Sequence, residues 1–186
     1  MPKNRRKLFA TLAGLIAIPF FSGKLREYIS PLVLGIPLFL SSKAPKRIQL
    51  VRFIDQRGDH LSFADFRGKH LLVNIWATWC PACRQEIASL DRLRASIAPK
   101  LEPEVIAISV DAISFEQLRA FYGANSVNNL DLYRCDESEI MQAYGLLGIP
   151  TTLLIDDEGF EIARLVGPTT WDSKEIAAQL ALLVTP

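Results

Sequence analysis

The sequence is poor in the residues that mark disulfide-rich and metal-rich proteins. Its 186 residues include only three cysteines and two histidines. Small secreted domains that lack an adequate core carry many disulfides, so three cysteines exclude that class of scaffold. A hydrophobic core must therefore hold the fold, and the cysteines call for a chemical explanation.

The charge balance lacks an excess of either sign. The formal net charge is +1, with 21 basic and 20 acidic side chains. A protein without a strong basic field does not concentrate phosphate groups around itself. The composition therefore indicates neither a nucleic-acid partner nor an acidic one.

Long hydrophobic runs are scarce, and the two most evident lie near the N-terminus. The basic start "MPKNRRK" precedes the uncharged stretch "LFATLAGLIAIPFF" (residues 8–21), a pattern typical of a signal peptide or a short signal anchor. That stretch is shorter than the ~20 residues of a usual bilayer span, and a second run (residues 31–40) is broken by proline. We predict a signal anchor and linker over residues 1–45, with a cleaved leader as the alternative, and a globular domain over residues 46–186.

This arrangement also predicts where the domain resides. By the positive-inside rule the basic start stays in the cytoplasm and the chain that follows is exported. For a bacterial chain, we expect attachment to the inner membrane with the domain in the periplasm, or a secreted form if the leader is cleaved.

The pattern beyond residue 46 alternates between strands and helices. "RIQLVRFID" predicts a strand by its alternation, and "HLLVNIWA" and "EVIAISVD" read as strands buried on both faces. Helical spacing follows Pro81, Ser114 (a predicted cap with Gln117 at the capping-box position) and Glu137, and a last helix follows a hairpin around "DEG". This order predicts an α/β fold with a central mixed β-sheet flanked by helices.

Two cysteines lie where the first buried strand gives way to a helix, in "WCPAC" (residues 79–83). Pro81 suits the first helical position, which places Cys80 at the N-cap, where free N–H groups and the helix dipole favour a thiolate. We therefore expect Cys80 to be the nucleophile and Cys83, nearly one turn further on, to be the resolving cysteine that forms a disulfide with it. No cofactor is expected beyond this redox-active disulfide.

Other roles for such a pair are half of a zinc site and two inert core cysteines. Zinc would need two more ligands, and the remaining Cys135, His60 and His70 form no second paired motif. We therefore expect no metal. Cys135 is expected to be a small apolar filler on a buried strand, and the two histidines are expected to be structural.

A proline at the start of a later strand is a second candidate feature. "GIPTTLLID" places Pro150 where it cannot donate to a sheet ladder. It is either an ordinary trans proline at a strand edge or a cis proline that packs against the cysteine pair and leaves the Ile149 backbone free for a substrate chain. Spacing alone leaves both open, because cis bonds are uncommon even before proline.

Together these motifs resemble a known family. "FADFRGKHLLVNIWATWCPACRQE", "VIAISVD", "GIPTTLLIDDEG" and "ARLVGPTTWDSKE" resemble the membrane-tethered TlpA/ResA-like thiol–disulfide oxidoreductases of the thioredoxin superfamily. The resemblance covers about residue 48 to the C-terminus. It implies a thioredoxin-like fold with a helix–strand insertion within residues 114–133, and a cis Pro150.

The resemblance also implies a function. Family members keep exported cysteines reduced for cytochrome c maturation or for assembly of the copper centres of cytochrome oxidase. The implied partners are exported protein thiols and disulfides, such as apocytochrome c or an oxidase-assembly protein, and a membrane electron donor. On this basis we expect a thiol–disulfide oxidoreductase that acts as a reductant.

Three positions of this sequence can be compared with the residues typical of the family. Asn74 stands where ordinary thioredoxin has a buried Asp, although Asn is common in this branch. Glu86 matches a glutamate beside the cysteines and shares a helix face with Cys83, so it is expected to modulate the thiol pKa values; a solvated helix glutamate is the alternative. Ala88 replaces a proline that often kinks this helix, which predicts a straighter one.

The substrate-binding surface is expected around the cysteine pair. Trp79 should shield the disulfide and form a docking surface together with Pro81, Ile149 and Pro150. Trp171 is expected to pack against the final helix.

Two other functions remain as alternatives. A peroxiredoxin-like peroxidase needs a threonine three residues before its reactive cysteine, and this chain has Ala77 there. A copper-binding assembly chaperone uses a wider cysteine spacing and a distant histidine, and neither feature is present.

Overall fold

The computed structural model describes residues 39–97 and 103–184 of the chain. The predicted anchor or leader therefore falls almost entirely outside the described residues. Within the described ranges, no helix combines the length and the hydropathy needed to cross a membrane.

The described residues form an α/β domain of eight strands and four α-helices. The strands are β1 (Leu40–Arg47), β2 (Phe53–Asp55), β3 (His60–Leu61), β4 (Leu71–Trp76), β5 (Glu104–Ser109), β6 (Tyr133–Arg134), β7 (Thr151–Ile155) and β8 (Phe160–Val166). The helices are α1 (Pro81–Ser96), α2 (Phe115–Ala124), α3 (Glu137–Tyr144) and α4 (Lys174–Val184), and a 3-10 helix covers Phe63–Phe66.

All eight strands belong to one mixed sheet, as the sequence predicted. The strand order is β1-β8-β7-β4-β5-β6-β2-β3. β4 lies at the centre, parallel to β5 and antiparallel to β7, and all six of its residues are buried. A strand buried along its whole length has both of its faces covered, which explains its continuous apolar sequence.

The predicted helix–strand insertion corresponds to α2 and β6, between β5 and α3. α2 begins with the expected capping box: Ser114 Oγ accepts a hydrogen bond from the Gln117 N–H, and Gln117 Oε1 accepts one from the Ser114 N–H. α3 ends at Gly145, whose φ of 59° lies in the left-handed region that glycine adopts without strain.

The N-terminal edge of the domain differs from the prediction. The expected start at residue 46 falls inside β1, which begins at Leu40 and pairs antiparallel with β8. Phe39, just before it, is buried with its ring edge against Trp171. The sequence "LSSKAPKR" shows no alternation and contains Pro45, which an edge strand tolerates, so only the pairing with β8 reveals this strand.

The strand predicted over "RIQLVRFID" is also corrected. Arg47 ends β1, Phe53–Asp55 forms β2, and the residues between them belong to no strand. The Val51 N–H bonds to the Gln49 carbonyl, and Leu50 is 73% exposed. A local turn therefore interrupts the apparent alternation.

Candidate active site

The cysteine pair occupies the junction of β4 and α1, as predicted. Pro81 is the first residue of α1, and Cys80 is its N-cap with φ −86° and ψ 113°. Cys80 Sγ accepts a hydrogen bond from the Cys83 backbone N–H at 3.2 Å. An N–H donor and the positive end of a helix dipole at this sulfur both stabilise a thiolate there when the pair is reduced.

The two cysteines form a disulfide and differ in accessibility. Their Cα atoms are 5.3 Å apart. Cys80 keeps 5% of its surface exposed and Cys83 keeps none, while the neighbouring Trp79 is 59% exposed. An incoming thiol or disulfide therefore reaches the pair through Cys80.

Ile149 and Pro150 lie against the reactive cysteine. The bond between them is cis, as the resemblance implied. Cys80 Sγ is 3.7 Å from the Ile149 carbonyl oxygen, and Pro150 is buried. Within the described ranges, the Ile149 N–H donates no hydrogen bond, so it remains available to a bound chain.

Exposed apolar side chains lie on the segments that carry or adjoin Cys80 and Pro150, and we call Trp79, Leu147 and Val166 the apolar rim. Trp79 adjoins Cys80, and Leu147 stands two residues before Ile149 with its side chain fully exposed. Val166, 62% exposed, ends β8, and the Gly167 N–H that follows bonds to the Pro150 carbonyl. Three large exposed apolar side chains on segments next to the cysteine pair and Pro150 are suited to contact with a protein partner.

Glu86 is buried in the core beneath the cysteine pair, one turn along α1 from Cys83. It is 1% exposed, so the alternative of a solvated helix glutamate is wrong. Its Oε1 accepts a 2.8 Å hydrogen bond from Asn74 Nδ2, and its Oε2 accepts a 2.9 Å bond from the Thr169 backbone N–H. This carboxyl group thereby joins α1, β4 and the loop after β8.

Burial raises the pKa of Glu86 to about 7 because an ionised carboxylate is poorly solvated in the core. The hydrogen bonds from Thr169 and Asn74 act in the opposite direction, since they favour the charged form. The Trp171 indole also lowers this pKa through its proximity, although its Nε1 makes no hydrogen bond of good geometry within the described part of the chain. A group with this pKa changes its protonation near neutral pH.

Asn74 connects the carboxyl group to the strand that carries Pro150. It pairs with Thr152 in the β4–β7 register, and its Nδ2 also donates a 2.9 Å hydrogen bond to Thr152 Oγ1. The amide Nδ2 thus uses both of its hydrogens in the core.

The remaining candidate residues lie apart from this site. Cys135 is buried with its Sγ 3.3 Å from the Arg52 carbonyl oxygen, and burial raises the pKa of its thiol to about 12, which keeps it unreactive. His60 lies exposed on β3. The described residues contain no group of three His, Cys, Asp or Glu side chains placed to hold a metal ion.

The sequence predicted only part of the surroundings of Glu86, which include the rest of α1 and the segment after β8. α1 runs through Ala88 without interruption. Trp171 is fully buried, but it packs against Phe39, and its backbone N–H bonds to Ser89 Oγ. Sequence reasoning missed Thr169 as a partner of Glu86, because 83 positions separate the two residues and no local pattern links them.

Comparisons with known proteins agree with this geometry. A sequence profile of the Redoxin family matches residues 41–180. The thioredoxin-like protein YneN of Bacillus subtilis is 31% identical over 125 residues, which cover 67% of this chain and 71% of YneN. The thiol-disulfide oxidoreductase ResA of Bacillus thuringiensis is 30% identical over 125 residues, covering 65% of this chain and 68% of ResA.

Solved structures show the same fold. The thioredoxin domain of a thiol-disulfide oxidoreductase from Bacteroides vulgatus superposes with a TM-score of 0.63 at 21% identity, covering 77% of this chain and all of that domain. A secreted thiol-disulfide isomerase from Corynebacterium glutamicum superposes with a TM-score of 0.61 at 20% identity, covering 78% of this chain and 90% of that one. The architecture around the cysteine pair is therefore thioredoxin-like.

Proposed function

The chain belongs to the Redoxin family and is a thiol–disulfide oxidoreductase with a thioredoxin-like fold, and from this premise we propose that Cys80 and Cys83 reduce disulfides in exported proteins. The observation that carries the proposal is the position of Cys80 Sγ. This atom lies at a helix N-terminus, on the reachable side of the pair, and 3.7 Å from the Ile149 carbonyl oxygen.

The exchange proceeds in two displacements. The Cys80 thiolate attacks one sulfur of a substrate disulfide, which forms a mixed disulfide and releases the other substrate sulfur as a thiolate. The Cys83 thiolate then attacks Cys80 Sγ, which frees the second substrate sulfur and leaves the Cys80–Cys83 disulfide. Two electrons pass to the substrate, and its two thiolates take up protons.

Glu86 assists the second displacement. Cys83 is fully buried, so its thiol needs a nearby base to take its proton before it attacks. Glu86 lies one helical turn away, and its pKa of about 7 lets it accept or release a proton at neutral pH. No other ionisable side chain of the described residues lies within the hydrogen-bond network that Asn74 and Thr169 build around it.

Substrate binding uses the backbone beside the sulfur and the surrounding side chains. An extended chain that passes Cys80 pairs with the free Ile149 N–H, which fixes the direction of the chain. Pro81 is exposed at the start of α1, and the apolar rim contributes side-chain contacts. The substrate is therefore an extended segment with a cysteine and adjacent apolar residues.

Electrons flow from this protein to its substrates. Ala82 places no cation beside the Cys80 sulfur, so the helix end and the Cys83 N–H carry the stabilisation of the thiolate. A carboxylate at Glu86 opposes that stabilisation, and a thiolate that is less stable makes the pair more reducing. The resemblance then favours apocytochrome c or an oxidase-assembly protein as substrate and a membrane protein as electron donor.

The N-terminal sequence supports a location of this chemistry outside the cytoplasm. A basic start followed by an apolar run fits an anchor in the bacterial inner membrane with the domain in the periplasm, or a cleaved leader. Disulfides persist in such exported compartments, so a reductant has substrates there.

Trapping in the cell tests the proposal. A Cys83→Ser variant retains Cys80 and cannot resolve mixed disulfides, so it should accumulate covalent complexes with its substrates. The matched Cys135→Ser variant keeps the pair intact and should accumulate none. Complexes that form equally well with Cys80→Ser, or that contain only cytoplasmic proteins, would contradict the proposal.

A further inference from the structure

Asp111 lies buried beside the turn that carries the reactive cysteine. β4 and β5 run parallel and end in register at Trp76 and Ser109, so the residues after the two strands meet at one edge of the sheet. Asp111 follows β5 there and is 3% exposed. Its Oδ2 accepts a 2.8 Å hydrogen bond from the Thr78 backbone N–H, and its Oδ1 accepts one of 2.8 Å from Thr78 Oγ1.

These two bonds hold the turn that presents Cys80. The Cys80 N–H bonds to the Ala77 carbonyl at 3.2 Å, so Thr78 and Trp79 form the middle of a tight turn between β4 and α1. Both polar groups of Thr78 that face β5 are bound to the one carboxylate. Asp111 therefore links the turn to the chain that follows β5.

The hydrogen bonds at Asp111 fit its ionised form. Besides the two bonds from Thr78, Ser109 Oγ donates to Asp111 Oδ2 at 2.7 Å, and the Asp111 backbone N–H donates back to Ser109 Oγ. Every group that reaches the carboxyl oxygens is a donor, and an ionised carboxylate is a pure acceptor. In the described part of the chain, no Lys or Arg side chain forms an ion pair with Asp111.

We propose that Asp111 is a positioning residue that holds the Thr78–Cys80 turn and whose negative charge opposes the α1 N-terminus at the Cys80 sulfur. A fixed anion near a thiol disfavours the thiolate. The reduced pair is then less stabilised, and the protein becomes a stronger reductant than its helix end alone would make it. This inference rests on the proposed role of Cys80 as nucleophile.

Two variants separate charge from geometry. Thr78→Val and Asp111→Asn each weaken the link between the turn and β5, but only Asp111→Asn removes the charge. We expect Asp111→Asn to lower the pKa of the Cys80 thiol and to raise its alkylation rate at neutral pH about threefold, as a fall of half a pKa unit gives. Its reduction potential should become less negative. Thr78→Val should leave the alkylation rate unchanged or lower it.

The measurements are the pH profile of iodoacetamide alkylation in the reduced, full-length protein and its equilibration with a glutathione buffer. The exposed Asp131→Asn variant is the control for the loss of one negative charge, and it should change neither value. Equal changes in Asp111→Asn and Thr78→Val, or no change in Asp111→Asn, would overturn the proposal.

If the Asp111→Asn protein does not fold, a second variant tests the proposal. Ser109→Ala removes one donor from the carboxylate and leaves its charge less neutralised, so the Cys80 alkylation rate should fall. An unchanged or faster rate in Ser109→Ala would also overturn the proposal. These readouts need no protein substrate, so failure of the wild-type protein to reduce disulfides would reject the proposed function without affecting them.

Discussion

Asn74 Nδ2 lies 2.8 Å from Glu86 Oε1, in a hydrogen bond that is fully buried in the core. The amide donates to the carboxyl group and, with its second hydrogen, to Thr152 Oγ1. An aspartate at position 74 would instead place two acceptor-only carboxylates in contact without water. Such pairs cannot both ionise, so one would stay protonated. Asparagine at position 74 is therefore the residue that allows Glu86 to titrate by itself.

The two cysteines should divide the reaction between them. Because Cys80 is the N-cap and the exposed partner, Cys80→Ser should reduce insulin-disulfide reduction to the uncatalysed rate. Cys83→Ser should also stop turnover but keep a thiol that forms mixed disulfides. Alkylation of the reduced protein at neutral pH, followed by mass spectrometry, checks the order of reactivity. Preferential labelling of Cys83 would show that the roles are reversed.

Glu86 should make the stability of the domain depend on pH. Its pKa is about 7 in the folded state and 4.5 when unperturbed. Between these values the folded protein holds a proton that the unfolded chain has lost, so the free energy of unfolding falls as pH rises. The loss amounts to about 3 kcal/mol in total. Urea unfolding at pH 5 and pH 8 measures it. Glu86→Gln should remove this component of the pH dependence, whereas the exposed Glu116→Gln should retain it.

The reduction potential should be that of a reductant. We expect a value nearer that of thioredoxin, about −270 mV, than that of a strong oxidant, about −120 mV. Glu86→Gln should shift it in the oxidising direction at pH 8.5, where the wild-type carboxyl group is ionised, and should have little effect at pH 5.5, where it is protonated. Equilibration with glutathione buffers at both pH values measures the difference. A wild-type potential near −120 mV would rule out a reductant.

Leu147 should contribute to the binding of protein substrates. Leu147→Ala should lower kcat/KM for a protein disulfide about fivefold, because about 1 kcal/mol of apolar burial is lost on docking. Reduction of a small disulfide that cannot reach the apolar rim should be unaffected. Leu182→Ala is the control, since Leu182 is also exposed but lies on α4. Equal losses for the two variants would show that the apolar rim does not bind substrate.

The N-terminal segment should place the domain outside the cytoplasm. A membrane-impermeant maleimide should label Cys80 in intact cells whose outer membrane has been permeabilised, after mild reduction. A Cys80→Ser chain provides the background. Labelling that appears only after lysis would contradict export.

Much of the site could be predicted from the sequence, because the features that form it depend on residues close together in the chain. Proline at the first helical position, a cysteine before it and a second cysteine one turn later define the N-cap within five residues. The same holds for the capping box of α2 and the left-handed glycine after α3. In these segments the backbone geometry depends on neighbours in the chain, and the residue types report it directly.

Only the tertiary structure decided the environment of the acids. Glu86 is buried where it accepts hydrogen bonds from Asn74 and Thr169, and Asp111 accepts hydrogen bonds from Thr78. These partners meet because of the order of the strands in the sheet, and their spacing in the sequence does not indicate it. The start of β1 at Leu40 likewise depends on pairing with β8. Hydrogen bonds between distant segments carry no periodic signal, because each residue needs only a suitable partner where the fold brings the chain together. The sequence by itself therefore determined the redox pair, while the fold determined the charges and protons around it.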